Sequence, residues 1–377
     1  MESRPPIKSS SRSGYIRTLD GWRTIAVFGV IWYHGAVTSI RPLQSLQEFG
    51  EEGVYLFFAI SGILICSRLL EEQRAHGSIS LKGFYIRRLC RIQPAAIVYL
   101  LFLVVLAALG VLHIGRGALI SSLLSYRNLY PTVGANILAD DRFTFHFWSL
   151  AVEEHFYLFL PALMVVARRK LVAVLGLVTA LSLVWPPIVH RVRFLQSPEL
   201  GWRTDVAVQS LLVPAFLAVL LTIPSFRRRL TQISSRGFLI FLLIGLLLVT
   251  QIFLKSYFTV QICCFGFPMM LISTVLHPEN WFGRFLETKV LTTLGRMSYS
   301  LYLWQQIFIS NADSLSVAGP LGYLREWPWN LVSLMFCATG SYFLIEKPFI
   351  RLGHRLAPPA TSGRKDLHEQ LASTRSA

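Results

Sequence analysis

Residues 22–34, WRTIAVFGVIWYH, decide how this chain is interpreted, because they place two basic side chains in an otherwise apolar stretch. The apolar run continues to about Ile40, so it is long enough to cross a bilayer as a helix. In that helix Arg23 and His34 would lie ~16 Å apart along the axis, Arg23 near one face and His34 beyond the midplane. An ionisable group inside a span marks a candidate functional site. The alternative for this run alone is a His satisfied by a neighbouring backbone carbonyl.

The composition indicates a membrane protein. Of the 377 residues, 53% are hydrophobic and 15% are charged, whereas a soluble domain carries about 25% charged residues. The net charge of +16 would suit a nucleic-acid partner, unless the cations lie in loops on one face of the membrane. The five cysteines lie in or beside apolar runs without metal-ligand spacing, and we therefore expect no disulfide and no metal.

Ten apolar segments are predicted to cross the membrane, which gives an all-α polytopic helical bundle. These segments are residues 22–40, 52–67, 93–112, 147–167, 171–189, 206–223, 237–254, 257–276, 291–310 and 327–345. The run 118–130 is short and interrupted by polar residues, so we interpret it as interfacial or re-entrant.

The distribution of cations supports this count. With residue 1 in the cytoplasm, the inner segments contain 27 of the 36 Lys and Arg residues, and the outer segments contain nine. Such an excess on one side is typical of cytoplasmic loops. It predicts that both termini are cytoplasmic, with a basic tail over 1–21, a transmembrane domain over 22–345 and a second tail over 346–377. It also removes the need for a nucleic-acid partner.

A second group of ionisable residues lies in HFWSLAVEEHFYLFLP, residues 146–161, where Glu153 and Glu154 enter an apolar helix. In the predicted topology His34 and Glu153 each lie six residues from the outer end of a span, ~9 Å below the surface. Equal depth is what a His–carboxylate pair requires, because a carboxylate orients an imidazole and stabilises its protonated form. An interfacial, solvated Glu153 is the alternative.

A third group lies at the predicted inner face, in FYIRRLCRIQP, residues 84–94. A helix would present Arg87 and Arg91 on one side. Arg clusters beside a span usually serve as positive-inside anchors. The functional alternative is a site for the phosphates of a cytosolic ligand, which the guanidinium fork matches.

Together these segments resemble the acyltransferase-3 family of integral membrane O-acyltransferases, over residues 15 to 350. The first matches are LDGWRTIAVFGVIWYH (19–34), with the family's Arg-x10-His, GVYLFFAISGILI (53–65) and FYIRRLCRIQP (84–94), with Arg-x-x-Arg. The later matches are HFWSLAVEEHFYLFLP (146–161), WRTD (202–205), LGRMSYSLYLWQQ (294–306) and EKP (346–348). Any one motif is weak, but their combination in the usual order is specific.

The resemblance implies transfer of an acyl group, usually acetyl, from cytosolic acyl-coenzyme A to a hydroxyl beyond the membrane. It implies a multi-pass protein of the bacterial cell membrane and a carbohydrate or glycosylated acceptor. The predicted catalytic residues are His34 and Glu153. The predicted coenzyme-binding residues are Arg23, Arg87, Arg88 and Arg91. The predicted acceptor-binding residues are His146, Trp148, Arg203 and Asp205.

Two positions depart from the family's pattern. Tyr55 stands where the family often has an acidic residue, and Gln305 stands where it commonly has His. A carboxylate expected near the site is then absent, and Gln305 is not expected to be catalytic. The extra C-terminal esterase-like domain of some members is not expected either.

Several alternatives remain open at the level of sequence. His34 could deprotonate the acceptor hydroxyl or carry the acyl group transiently; the general base needs one fewer intermediate and is preferred. An intramembrane His and Glu would also suit a proton-coupled transporter or flippase. That class predicts inverted repeats and broken helices, which the sequence does not show. A non-catalytic scaffold has no use for a His and a Glu at matched depth.

Overall fold

The computed structural model describes residues 16–35, 47, 50–130, 139–192, 200–234, 243–246, 257–309 and 320–358. These residues form helices joined by turns, and among them there is no strand. The predicted all-α class is therefore confirmed for the part of the chain that is described.

The described residues contain sixteen α-helices with assigned bounds, numbered in chain order. The first eight are α1 Arg17–Gly35, α2 Gly53–His76, α3 Leu81–Ala108, α4 Arg116–Leu123, α5 Phe147–Ala167, α6 Leu171–Arg191, α7 Thr204–Ala207 and α8 Gln209–Leu220. The others are α9 Pro224–Ser234, α10 Tyr257–Leu276, α11 Trp281–Leu286, α12 Lys289–Arg296, α13 Ser298–Phe308, α14 Pro320–Tyr323, α15 Trp329–Ser341 and α16 Lys347–Leu356. Short 3₁₀ turns cover Gly50–Glu52, Ala139–Thr144, Arg168–Lys170 and Leu200–Trp202, and a π-helical turn covers Tyr342–Glu346.

Three helical segments of the described residues are long and apolar enough to cross a membrane: Gly50–His76, Leu81–Ala108 and Asp141–Arg191. A fourth is possible if Thr204–Leu220 and Pro224–Ser234, which meet at a 110° bend, form one broken span. These helices indicate a membrane protein. The count of ten spans and the cytoplasmic termini stay predictions, and the predicted span 237–254 lies almost wholly outside the described residues.

The segment Asp141–Arg191 is too long for one straight crossing. Its 51 residues would extend about 76 Å as a continuous helix, against a hydrocarbon core of about 30 Å. The helix is interrupted at Arg168–Lys170, where Arg168 has a φ of +24°. This break lies between the predicted spans 147–167 and 171–189.

The run 118–130, predicted to be interfacial or re-entrant, contains most of α4. This helix has eight residues and is too short to cross a bilayer. Beyond it, the guanidinium of Arg127 is fully buried. It donates to Thr144 Oγ1 at 3.1 Å and to the carbonyl oxygen of Asp141 at 3.3 Å. These bonds attach the run to the turn that precedes α5.

Helix α1 packs against α2, α11, α12 and α13, and glycines allow the closest contacts. A Cβ added at Gly295 of α12 would overlap the backbone oxygen of Asp20 in α1. On the other side of α2, a Cβ at Gly62 would meet the carbonyl of Leu211 in α8. The backbones of α1 and α12, and those of α2 and α8, therefore approach more closely than a side chain would permit.

Gly295→Ala should destabilise the protein, because α1 and α12 must separate to admit the methyl group. We expect a cost of about 1–3 kcal/mol, the usual range for overpacking, and a lower midpoint of thermal unfolding in detergent. The matched control is Gly340→Ala in α15, where no atom lies within 4 Å of the new Cβ. Equal midpoints for the two variants would contradict the close contact.

Candidate active site

Four of the predicted site residues meet in one cavity inside the helical bundle. Arg23 of α1, Arg88 and Arg91 of α3, and Glu153 of α5 all line it. The rest of the wall comes mainly from α2 and α13 and is largely aromatic and aliphatic. These other residues are Val54, Phe57, Phe58, Ser61, Leu64, Ile65, Ile92, Ser149, Leu150, Tyr157, Ser298, Tyr299 and Tyr302.

The carboxylate of Glu153 has two hydrogen-bond donors. The hydroxyl of Ser61 in α2 donates to Oε1 at 2.9 Å, and the hydroxyl of Tyr157, one turn further along α5, donates to Oε2 at 2.7 Å. The two hydroxyl oxygens of Tyr157 and Ser61 lie 3.3 Å apart. A buried carboxylate requires such donors, and these bonds link α2 to α5. Neither Ser61 nor Tyr157 was predicted from the sequence.

Arg88 lies against aromatic rings. Its guanidinium carbon is 5.2 Å from the ring centroid of Tyr157 and 5.6 Å from that of Phe84, within the range of a cation–π contact. Arg88 and Arg91 both interact electrostatically with Glu153. The Tyr157 side chain therefore connects the carboxylate to the cationic side of the cavity.

A second cavity adjoins the first and shares Arg23, Arg91 and Leu64 with it. Two further cations, Arg68 and Arg296, line this second cavity, which we call the inner mouth. Both side chains are exposed. The inner mouth is also lined by Ile16, Leu19, Asp20, Tyr342, Glu346 and Ile350.

Only some of the residues of the inner mouth were predicted from the sequence. Arg68 follows Ser61 by seven residues, which places both on the same face of α2, so helical spacing could have identified it. Arg296 comes from a distant helix, and no spacing in the sequence indicated it.

Two carboxyls complete the inner mouth. Asp20 Oδ1 accepts from Arg23 at 2.7 Å, and Glu346 Oε2 accepts from Ser300 at 2.9 Å. Burial raises the pKa of Glu346, which follows the last predicted span, to about 7.

His34 does not line the cavity. Its Nδ1 is 2.8 Å from the carbonyl oxygen of Val30, and its ring meets that of Tyr33 edge-on at 5.0 Å. Among the described residues His34 has no hydrogen bond to Glu153, because both carboxylate oxygens face Ser61 and Tyr157. The predicted direct pair is therefore not observed, and the catalytic roles of the two residues stay predictions.

Arg87 also requires a correction. The helical period predicted that Arg87 and Arg91 would point the same way, but Arg87 is turned out of the cavity. Its guanidinium pairs with Glu72 Oε2 at 3.1 Å and donates to the carbonyl of Ala357 at 3.3 Å. The reason is the packing of α16 against α3, which gives Arg87 a partner on that side and leaves Arg88 facing inward.

The predicted acceptor-binding residues fall into two groups. His146 and Trp148 are buried next to the cavity, and Trp148 packs edge-on against Phe58 with the ring centroids 6.0 Å apart. Arg203 and Asp205 do not line the cavity. They form an ion pair at 2.8 Å, in which Asp205 Oδ2 also accepts from Trp185 Nε1 at 2.8 Å. This second group connects α7 to α6 rather than reaching the site.

The two departures from the expected motif lie outside the cavity wall. Tyr55 does not line the cavity, although its neighbour Val54 does. The carboxyl of Glu52, three residues before Tyr55, is buried, so the 3₁₀ turn that precedes α2 carries a buried acid close to this position. Gln305 is completely buried, and its amide donates to Gln306 Oε1 at 3.2 Å.

Comparison with known proteins identifies the family. A family model described as an acyltransferase domain matches residues 16–346. The chain belongs to the acyltransferase-3 family. The matched region contains Arg23, His34, Arg88, Arg91 and Glu153. It agrees with the resemblance inferred from the motifs.

Curated relatives come from Staphylococcus aureus. "Putative O-acetyltransferase SACOL0978" of strain COL is 31% identical over 366 residues, covering 90% of this chain and 58% of the relative. "O-acetyltransferase OatA" of strain NCTC 8325 / PS 47 is 28% identical with the same coverage. The chain thus spans about three fifths of the length of these relatives. No solved structure matches it.

Tyr157→Phe should lower stability, because it removes a donor from the carboxylate of Glu153. We expect a cost of about 1–3 kcal/mol, typical of a buried group that loses a hydrogen-bond partner, measured as a lower midpoint of unfolding in detergent. The control is Tyr85→Phe, which removes an exposed hydroxyl bond to the carbonyl of Leu158. A similar loss in both variants would show that the carboxylate does not depend on Tyr157.

Proposed function

We propose that this chain transfers an acetyl group from cytosolic acetyl-coenzyme A to a hydroxyl of a carbohydrate or glycosylated acceptor on the outer side. The relatives are named O-acetyltransferases, which supports acetyl as the acyl group. The observation that carries this proposal is the pair of adjoining cavities. They lead from the cations of the inner mouth to the carboxylate of Glu153. The acyltransferase family of the chain supports the same reaction class.

The inner mouth suits the phosphates of the coenzyme. Arg23, Arg68, Arg91 and Arg296 surround it, and guanidinium groups form strong, charge-assisted hydrogen bonds with phosphate oxygens. The adjoining cavity has apolar walls at Leu64 and elsewhere. In this proposal it accepts the pantetheine arm and brings the thioester towards α5. No metal takes part.

The chemistry at the outer end requires a base. The acceptor oxygen forms a bond to the acyl carbon while the carbon–sulfur bond breaks. In this proposal His34 takes the hydroxyl proton, and the bond between its Nδ1 and the Val30 carbonyl supports a tautomer with Nε2 as the basic nitrogen. The proton then passes to the coenzyme sulfur, which leaves as a thiol.

In this scheme Glu153 acts on the coenzyme side of the reaction and not by direct contact with His34. Its carboxylate is held by Ser61 and Tyr157 and supplies a negative charge near Arg88 and Arg91. That charge offsets the repulsion between neighbouring guanidinium groups when the coenzyme is absent. The proposed role for Glu153 is thus to keep the cationic wall of the cavity in place.

Arg91→Ala should weaken coenzyme binding, whereas Arg87→Ala should leave it unchanged. The two residues are one helical turn apart, but only Arg91 lines the inner mouth, and Arg87 pairs with Glu72. A lost charge-assisted contact costs about 1.5–3 kcal/mol, which is about 10- to 150-fold in the Kd for acetyl-coenzyme A. Isothermal titration of the purified variants measures it. A larger effect from Arg87→Ala would exclude this coenzyme site.

His34→Ala should abolish acyl transfer while leaving coenzyme binding intact, because His34 lines neither the cavity nor the inner mouth. His34→Gln, which keeps a polar side chain but no base of similar strength, should be as inactive, because general-base catalysis contributes about 10²–10⁴-fold. Mass spectrometry of surface glycans and secreted glycosides from cells with each variant gives the readout. Normal acylation by His34→Ala would remove His34 from the mechanism.

A further inference from the structure

One buried side chain next to the cavity, His146, is predicted to bind the acceptor but takes no part in the proposed proton transfer. His146 immediately precedes α5, and only 3% of its surface is exposed. Both ring nitrogens, Nδ1 and Nε2, are buried without a hydrogen-bond partner in the described part of the chain. A buried polar group left unpaired costs about 1–3 kcal/mol. Such a group calls for an explanation beyond packing, because buried polar atoms are nearly always satisfied.

The ring of His146 is enclosed by aromatic side chains. Its centroid is 5.3 Å from that of Tyr99, 4.9 Å from that of Phe147 and 5.5 Å from that of Tyr302. A phenylalanine would fill this space without leaving polar atoms unpaired. A neutral imidazole differs from phenylalanine in carrying one N–H donor and one acceptor nitrogen, so the polar atoms are what the site gains from histidine.

His146 lies directly behind the wall of the cavity that contains Glu153. That cavity is bounded by Ser149 and Tyr302, whose hydroxyls lie 2.7 Å apart and both donate to the backbone carbonyl of His146 at 3.1 Å. The ring of Tyr302 also lies against the imidazole of His146. The unpaired ring nitrogens are therefore one side chain away from the cavity.

The tyrosine hydroxyls that line the cavity already donate hydrogen bonds to protein groups. The hydroxyl of Tyr157 donates to Glu153, that of Tyr299 donates to the carbonyl of Ile92, and that of Tyr302 donates to the carbonyl of His146. The guanidinium groups that line the cavity belong to the wall that continues into the inner mouth. Among the described residues, Trp304 Nε1 and Gln209 Nε2 are also buried without a partner, but His146 has both ring nitrogens unpaired and adjoins two residues of the cavity wall.

We propose that His146 is a second catalytic imidazole, whose N–H donates a hydrogen bond to the carbonyl oxygen of the acyl thioester. When the acceptor oxygen adds to the acyl carbon, that carbonyl oxygen gains negative charge, and a donor fixed beforehand stabilises it. His146 keeps its proton throughout. The hydroxyl proton goes to His34 and then to the sulfur, as the carbon–oxygen bond forms and the carbon–sulfur bond breaks. This inference rests on the proposed acyl transfer.

The test compares His146→Gln with His146→Met, two side chains of similar length of which only glutamine carries an N–H donor. Purified proteins in detergent receive acetyl-coenzyme A and methyl glucoside as the hydroxyl probe, and thiol release and ester formation are followed. His146→Met should lower kcat by about 10²–10³-fold, the usual effect of removing one oxyanion donor. His146→Gln should retain part of this rate. The Kd for coenzyme A should stay at the wild-type value in both, which also shows that both are folded.

Two controls complete the experiment. His146→Phe preserves the aromatic packing and should be as slow as His146→Met, while His113→Phe, on an exposed turn, should keep the wild-type rate. Wild-type kcat in His146→Phe, or equal losses in the Gln and Met variants, would overturn the donor role and leave the acyl transfer standing. A wild-type protein that forms no ester with the probe or with cell-surface glycans would instead overturn the proposed function, and this inference with it.

Discussion

The site depends on one buried carboxylate and the two hydroxyls that satisfy it. Glu153 can remain inside an apolar bundle only because Ser61 and Tyr157 donate to it. These bonds fix the rotation of α5 relative to α2, and that rotation decides which residues face the cavity. Tyr157 then provides the ring against which Arg88 lies. Removing the carboxylate would leave the hydroxyls unpaired and the guanidinium groups without a nearby negative charge.

The charged groups are distributed along the helices in an order that suits transfer across a membrane. Guanidinium groups concentrate at the inner mouth, where Arg23 and Arg91 are shared with the cavity above. Imidazoles lie at the opposite end, in His34 and His146. A phosphate-bearing donor and an uncharged hydroxyl acceptor need different surroundings, since guanidinium groups match phosphates and a hydroxyl needs a base. The cavity connects the guanidinium groups of the inner mouth to Glu153, and both imidazoles lie outside its wall.

The sequence predicted the helical class and the four charged residues of the cavity, but it could not supply their orientation. Motif spacing identified Arg23, Arg88, Arg91 and Glu153, and the structure brings these four together. The period of a helix placed Arg87 on the side of Arg91. Which face of α3 turns inward depends on the docking of α16, however, and that packing joins segments over 250 residues apart. Local periodicity contains no information about such a contact.

The relation between His34 and Glu153 shows why depth alone was insufficient. Counting residues from the ends of two spans gives a height for each side chain, but a contact also requires both helices to turn these faces towards each other. Glu153 is turned towards Ser61 and Tyr157 instead, and Nδ1 of His34 faces the carbonyl of Val30 in its own helix. Two groups at the same predicted depth therefore have separate partners. In the proposed reaction they need not touch, because each acts on a different substrate.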